Sequence, residues 1–504
     1  METEIELKLL ISTQHFDSAL ESLSKLPKSK PINTDYLFNH YFDTSQLQLL
    51  TWDMGLRVRG SKNHQEQTIK TAGSVKAGIH SRPEYNVPTA EKTPNLALFP
   101  QHIWPKNTNI AELNQQLECI FETNFTRITW RIFVDDSLIE VALDQGEIIA
   151  NKNCSPICEV ELELLAGSKK ALTTLAQQIA KHIPVRLGQA SKAQRGYQLA
   201  KLYTPKPIKE LQHIKLNDAQ SLSATLKQIL TLCLERWQQL EAVLITPIED
   251  KSEEALSPTQ LINKVQAWGQ FRDNIRLLKL TLNQFGLLSS DLHQQLTWLE
   301  DQLVFVKNLQ SWALIINEPT TLLGGLNNKQ LIQQQVSQLI FQQLKKNTIN
   351  DIVEHINYGQ LQLVLVEMLM LVEQQQIELV DYPNVSLLAN DLQQDSWKRI
   401  LQLMPLNMDM SNIDYQQVAI ALDESLQVGV AYGELYPNQQ KHDFRAPWID
   451  LALGISTLHC YQLLRELNQA STLGIASWLD NKESSLLFAM EHSRKRAVKN
   501  KPYW

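Results

Sequence analysis

The sequence predicts an α+β protein in which a closed antiparallel β-barrel comes first and an all-α helical bundle follows. Two observations indicate the barrel: charged residues recur at every second position in several short stretches of the first two hundred residues, and bulky apolar residues stand between them. A third indicates the bundle, because this alternation then stops and leucines recur at helical spacing. A chain of 504 residues is long for one barrel, so we expect two or three domains.

The alternation is clearest in a set of short stretches that read as strands. Each places charged or polar side chains on one face and apolar side chains on the other. They are residues 4–8, 56–59, 68–70, 82–87, 127–132 and 159–164. Any one of them alone would fit a surface strand with a solvated face. Together they favour a closed barrel with a charged lumen and an apolar outer face that helices cover.

A charged lumen of this kind needs a charged ligand, because buried ionised groups are tolerated only when they are paired. Arg and Lys side chains suit phosphate oxygens. Carboxylates two residues apart on a strand suit a hard divalent cation, which leaves its other positions to water and phosphate. The residues therefore predict that the lumen binds a polyphosphate chain together with a metal ion.

The order of the motifs resembles the CYTH superfamily, also called triphosphate tunnel metalloenzymes. Glu-Ile-Glu-Leu-Lys at 4–8 is similar to its ExExK signature. The other motifs follow in the same order: Tyr-Phe-Asp-Thr at 41–44, Leu-Arg-Val-Arg at 56–59, Thr-Ile-Lys at 68–70, Arg-Pro-Glu at 82–84, Val-Ala-Leu-Asp at 141–144, Glu-Val-Glu-Leu-Glu at 159–163 and Ser-Lys-Ala-Gln-Arg-Gly-Tyr at 191–197. The resemblance implies an eight-stranded triphosphate tunnel over residues 1–203.

The charged residues and the resemblance together give each candidate site residue a role. The expected catalytic residues are Glu4, Glu6 and Lys8. The expected substrate-binding residues are Lys8, Arg57, Arg59, Lys70, Arg82, Arg127 and Lys192. The expected metal ligands are Glu4, Glu6, Asp144, Glu159, Glu161 and Glu163, and the choice among the last three stays open because they share one strand face. Glu84 is expected to pair with a lumen arginine.

Three neighbouring features have weaker sequence signals. Arg131 and Glu140 have the parity of lumen residues but fit the end of the barrel equally well. Tyr41 and Asp43 fit either turn chemistry at a strand end or the rim of the barrel. Residues 73–80 are predicted to form a surface loop, and the alternative is a loop that closes over one mouth of the barrel.

The helical half is predicted to begin after a linker over residues 204–215 and to occupy residues 216–504. An all-α half after such a barrel resembles the CHAD domain, a family associated with polyphosphate binding. The candidate phosphate contacts are Lys264, Arg272, Arg276 and Lys279. Because this half carries more acidic than basic residues, a helical scaffold without polyphosphate binding is an equal alternative.

Family members with both parts mostly resemble inorganic triphosphatases, so we expect hydrolysis of tripolyphosphate to pyrophosphate and phosphate with Mg²⁺ or Mn²⁺. The alternatives are a nucleotide or thiamine triphosphatase, an adenylate cyclase of the same fold, and a polyphosphate-binding protein without turnover. Five scattered cysteines, an acidic start and the lack of an apolar run of ~20 residues favour a cytoplasmic protein. With a net charge of −7, we expect no nucleic-acid or membrane partner, and a monomer.

Overall fold

Strands dominate the first part of the chain and helices the rest. The computed structural model describes residues 2–26, 31–61, 64–76, 78–203, 208–245, 257–317, 322–471 and 473–504. The side chains of residues 2, 3 and 76 are outside this description. The first part of the predicted linker, 204–207, also lies outside the described residues.

The strands build one antiparallel barrel. They are β1 Glu2–Leu10, β2 Asn33–Thr44, β3 Gly55–Gly60, β4 Gln65–Lys70, β5 Ser74–Lys76, β6 Ile79–Pro88, β7 Leu117–Val134, β8 Ser137–Ala150, β9 Asn153–Ala166 and β10 Arg186–Leu187. Eight of them close in the order β1, β9, β8, β7, β2, β3, β4, β6 and back to β1. Two short strands lie beside this ring, with β5 paired to β6 and β10 paired to β1. The predicted closed barrel is confirmed.

Apolar side chains on the outer face of the barrel pack under short helices and loops. Leu56 and Val58 of β3 form one buried cluster with Phe99 and Trp104 from the segment after β6. A second cluster joins Phe121 and Phe125 of β7 and Ile148 of β8 to Tyr197; these strand residues have the parity of Arg127 and Asp144, so this cluster lies on the inner side of the barrel. The helices of this region are α1 Phe16–Ser24, α2 Gln48–Thr51, α3 Ile110–Gln115, α4 Lys170–Ala180 and α5 Lys192–Leu199. The inner faces of the strands therefore carry the charged lumen residues together with this second apolar cluster.

The surface loop predicted over residues 73–80 is wrong. β5 and the start of β6 form a hairpin there, in which Val75 is paired with His80. His80 is only 4% exposed. The strand that carries Arg82 and Glu84 begins at Ile79, earlier than the sequence indicated. Because side chains at every second position share a face, His80 lies on the same face as Arg82 and Glu84 and not in a loop.

Helices occupy the chain beyond the barrel. They are α6 Leu222–Ile245, α7 Pro258–Gln284, α8 Ser290–Gln302, α9 Phe305–Ile316, α10 Lys329–Lys346, α11 Ile349–Val353, α12 Ile356–Glu373, α13 Val385–Leu403, α14 Asn412–Tyr432, α15 Asn438–Ser471 and α16 Ala476–Ala497. Among the residues described, none of the helices is long and apolar enough to cross a membrane.

The chain divides into two compact units, and one helix of the later sequence belongs with the barrel. The first unit comprises Met1–Pro207 and Ile352–Met370, and the second comprises Ile208–Asp351 and Leu371–Trp504. Most of α12 is therefore part of the barrel unit. The domain bounds expected from the sequence stay a prediction. In the structure, the barrel unit also includes most of α12.

Candidate functional site

The barrel encloses a cavity of about 930 Å³ lined mainly by charged side chains. Strand alternation puts them there, since lumen-facing residues recur at every second position of β1, β3, β4, β6 and β9. The predicted site residues that line it are Glu4, Glu6, Lys8, Arg57, Arg59, Lys70, Arg82, Glu84, Arg127, Glu161, Glu163 and Lys192. Asp144 and Glu159 do not line the cavity; both are fully buried and bond to residues that do.

The deepest part of the site is a network of alternating charges that we call the paired cluster. Its members are Lys8, Arg127, Asp144, Glu159, Glu161 and Lys192. Arg127 donates two parallel hydrogen bonds to Asp144, Nε to Oδ1 at 2.8 Å and Nη2 to Oδ2 at 2.7 Å. Lys192 Nζ donates to the same Oδ2 at 2.7 Å. Burial opposes ionisation of Asp144, but Arg127 and Lys192 outweigh it and hold the pKa of Asp144 below its usual range.

The rest of the paired cluster surrounds Lys8, whose side chain is 2% exposed. Lys8 Nζ donates to Glu159 at 3.0 Å and also bonds Glu161. Burial alone would lower the pKa of Lys8, yet these two carboxylates hold it well above its usual value. Three cations and three carboxylates therefore compensate one another within this cluster.

The carboxylates on the neighbouring part of the lumen wall are not compensated in this way. Glu6 lies opposite Glu163 in the β1–β9 register. In the described part of the chain, neither carboxylate has a cation within ion-pair distance. Burial, reinforced by Glu140, raises the pKa of Glu163 to about 7. An additional positive charge at this position would favour the ionised form of Glu163.

Glu4 and Glu84 form a second carboxylate pair, held by Lys70. Lys70 Nζ contacts Glu84 Oε2 at 3.0 Å and bonds Glu4 as well. Burial, only partly opposed by Lys70, raises the pKa of Glu4 to about 8. Burial acts the same way on Glu84, but Lys70 and Arg57 overcome it and hold the pKa of Glu84 near 2. Arg57 Nη2 lies 3.5 Å from Glu84 Oε1, so the predicted pairing of Glu84 with a lumen arginine is seen.

Arginines crowd the opposite wall of the cavity. Arg59 donates from Nε to Asn39 at 2.9 Å, and in the described residues no carboxylate lies within ion-pair distance of it. Burial, together with Arg57 and Arg127, lowers the pKa of the Arg59 guanidinium to about 10. Buried like charges repel, so an anion between these guanidinium groups would be strongly attracted.

The structure offers two carboxylate sets to a metal ion. Oxygens of Asp144, Glu159 and Glu161 lie within 4.8 Å of one another, but the cations of the paired cluster already satisfy them. A divalent ion there would meet two ammonium groups and a guanidinium. Glu6 and Glu163 have no cation partner among the described residues, and Glu4, on the same strand as Glu6, shares Lys70 with Glu84. Hard oxygen donors of this kind fit Mg²⁺ or Mn²⁺, so the second set fits a metal better.

Several residues without a firm sequence assignment also line the cavity: Tyr41, Glu66, Thr68, His80 and Glu140. The sequence signal for each of them is its position in a strand, because it stands an even number of residues from another lumen-facing residue of the same strand. Arg131 instead lies at the barrel end, with its side chain 58% exposed and 3.5 Å from Glu140. Asp43 accepts hydrogen bonds from the amides at the start of α2 and from Tyr197, which is the turn chemistry considered above.

The basic residues predicted as phosphate contacts of the helical half are all engaged by other groups. Arg272 contacts Asp273 at 3.0 Å, and Arg276 contacts Asp423 at 2.9 Å. Lys279 pairs with Glu300, and Lys264 donates to a backbone carbonyl at 2.8 Å. These partners weaken the case for polyphosphate binding by these four residues.

Comparison with known proteins agrees with the barrel and its charged lumen. Residues 2–197 match the CYTH domain family. A protein of Haemophilus influenzae named inorganic triphosphatase is 39% identical over 201 residues, which cover 39% of this chain and 54% of that protein. The chain thus spans about half the length of this curated relative. The resemblance of the first two hundred residues to the CYTH superfamily is confirmed.

Two solved structures each match part of the chain in fold. A putative adenylyl cyclase from Hippeastrum, described as having a dominant triphosphatase activity, is 20% identical, covers 39% of this chain and 95% of its own, and has a TM-score of 0.32. The CHAD domain from the plant Ricinus communis is 15% identical, covers 59% of this chain and 99% of its own, and has a TM-score of 0.40. At these similarities, nothing about activity follows for this chain.

Proposed function

We propose that this protein is an inorganic triphosphatase whose lumen hydrolyses tripolyphosphate to pyrophosphate and phosphate with Mg²⁺ or Mn²⁺. The observation that carries the proposal is the division of one cavity into a wall of crowded arginines and a wall of uncompensated carboxylates. A polyphosphate with a bound metal ion has both the negative and the positive charge that these walls require. The relative named inorganic triphosphatase supports the choice of substrate.

The cationic wall would bind the phosphate oxygens. Arg57, Arg59 and Arg127 lie close enough to influence one another's ionisation, and Lys70 and Arg82 line the same cavity. A guanidinium group can donate two parallel hydrogen bonds to the oxygens of one phosphate. It also stabilises the negative charge that develops during phosphoryl transfer. Substrate binding would therefore relieve a repulsion that the folded protein already contains.

The paired cluster would supply ammonium groups in fixed positions beside the substrate. Lys8 and Lys192 are anchored by buried carboxylates, so their ammonium groups keep both charge and position. Charges that are already in position need not reorganise when the transition state forms. This preorganisation is the usual source of electrostatic catalysis. We assign to Asp144 and Glu159 the role of holding these cations rather than that of binding metal.

Glu4, Glu6 and Glu163 would hold the metal ion, and Glu161 lies next to them on the lumen face. A divalent metal held by these carboxylates would supply charge stabilisation for the triphosphate and activation of water. Glu4, with a pKa of about 8, is poised to release a proton when a cation approaches its carboxylate.

The test is phosphate release from tripolyphosphate, ATP and thiamine triphosphate in parallel, with Mg²⁺, Mn²⁺ or EDTA. The proposal predicts metal-dependent release chiefly from tripolyphosphate. Faster release from an organic triphosphate would contradict the assigned substrate. Binding of tripolyphosphate without any release of phosphate would indicate a polyphosphate-binding protein and not an enzyme.

A further inference from the structure

Helix α12 contacts the barrel through a short segment next to the lumen, residues 185–188. Gly359 faces the carbonyl of Val185: a methyl group in place of its hydrogen would lie 2.1 Å from that oxygen. One turn further along the same helix face, Gln362 Oε1 accepts a hydrogen bond from the amide of Leu187 at 3.0 Å. Gln362 is fully buried, so this amide would otherwise lack water as a partner.

The other side of the same segment contacts the lumen residues directly. The amide of Gly188 donates to the carbonyl oxygen of Lys8 at 2.9 Å. His80 Nε2 donates to the carbonyl oxygen of Gly188, also at 2.9 Å. A methyl group on Gly188 would lie 2.8 Å from both Cγ and Cδ of Lys8, so the backbone covers the aliphatic part of this lysine closely. Residues 185–188 thus join α12 on one side to Lys8 and His80 on the other.

We propose that α12 is a positioning element of the lumen, in which Gln362 fixes residues 185–188 and this segment fixes Lys8 and His80. The inference rests on the proposed function only for its kinetic consequence, because the contacts themselves are independent of any substrate. Gln362 is a positioning residue, since it acts on Lys8 through Leu187 and Gly188. A displacement of about 1 Å at a charge that contacts the reacting group is enough to slow an enzyme strongly.

The test uses Gln362→Met in the full-length protein, which keeps the length of the side chain and removes the acceptor oxygen. The matched control is Gln360→Met on the same helix. Gln360 also bonds a backbone atom of the barrel unit, since its Nε2 donates to the carbonyl of Ala180 at 3.1 Å, but that atom is outside the segment 185–188. A loss of helix packing alone would affect both variants.

Two readouts separate positioning from general destabilisation. Hydrogen exchange followed by mass spectrometry should show faster exchange in peptides that cover residues 185–188 and the end of β1 in Gln362→Met, and no change there in Gln360→Met. Turnover of tripolyphosphate should fall about tenfold or more in kcat for Gln362→Met and stay within about twofold for the control. Equal exchange and equal kinetics in the two variants would overturn the inference.

A second variant keeps the inference testable if Gln362→Met does not fold. Gly188→Ala adds a methyl group against the buried Lys8 and should lower kcat in the folded variant. Full activity of a folded Gly188→Ala variant would overturn the inference that residues 185–188 fix Lys8. If the wild-type protein releases no phosphate, the proposed function fails, and the exchange comparison still decides whether α12 fixes the segment.

Discussion

Replacing Glu163 by glutamine should stabilise the metal-free protein at alkaline pH, although the substitution removes a charged residue from the centre of the site. The pKa of Glu163 stands near 7 instead of its usual 4.5 because burial and Glu140 disfavour its charge. A carboxyl with this pKa, once ionised, costs the fold about 3 kcal/mol. Glu163 keeps contact with solvent in the lumen, so we reduce this figure to about 2 kcal/mol.

The sign of the pH dependence follows from the raised pKa of Glu163. The folded protein binds this proton more tightly than the unfolded chain does, so stability falls as the pH rises from 4.5 towards 7 and stays reduced above that. Glu163→Gln removes the loss. The gain in melting temperature over the wild type should be near zero at pH 4.5 and about 5 °C at pH 8.

The assay is thermal unfolding in EDTA across this pH range, repeated with Mg²⁺. Added metal should stabilise the wild type at pH 8 and stabilise Glu163→Gln much less, because a ligand of the metal is missing. Glu66→Gln, at another carboxylate of the cavity, is the control and should keep the response to metal. A lower melting temperature of Glu163→Gln at pH 8 in EDTA, or a gain of equal size at both pH values, would refute the reasoning.

Three further predictions test other parts of the structure. Asp144→Asn should cost about 3 kcal/mol in free energy of unfolding by denaturant, because the buried Arg127 loses a bidentate charged partner; an unchanged midpoint would contradict the paired cluster. Arg59→Gln should raise the KM for tripolyphosphate about tenfold in steady-state assays with little loss of stability, and an unchanged KM would remove this guanidinium from the substrate site. Glu491→Gln should lower the stability of the helical half by about 2 kcal/mol at pH 7. Burial opposes the charge of Glu491, but hydrogen bonds from Arg494 and Tyr415 hold its pKa near 2, so the difference from wild type should narrow as the pH falls below 4.5; a constant difference in melting temperature would contradict it.

The sequence was sufficient to place the charged lumen because strand alternation is a local property. Glu4, Glu6 and Lys8 have the same parity whatever their partners are, and the structure puts all three on the cavity wall. The choice among Glu159, Glu161 and Glu163 needed the register between β1 and β9, which depends on pairing across more than 150 residues of chain. That register sets Glu163 beside Glu6 and sets Glu161 beside Lys8.

The association of α12 with the barrel unit could not be derived from sequence periodicity. This helix is apolar on most of its faces, which indicates a buried helix but not the surface that it covers. The informative residues are Gly359, which permits close approach to a backbone, and Gln362, a buried amide that bonds a strand-edge amide. Their contacts are with Val185 and Leu187, which are far away in the sequence, so sequence periodicity does not predict them.

The central claim is that cations of the lumen bind the triphosphate and that Glu6 and Glu163, which have no cation partner among the described residues, hold the metal for its hydrolysis together with Glu4. Glu6→Gln tests it most directly, with metal-free binding of tripolyphosphate measured by calorimetry and phosphate release measured with Mg²⁺ or Mn²⁺. The account predicts that binding persists or tightens, because a negative charge leaves the cavity, while release falls about a hundredfold or more. Metal-dependent release at the wild-type rate from Glu6→Gln would contradict it.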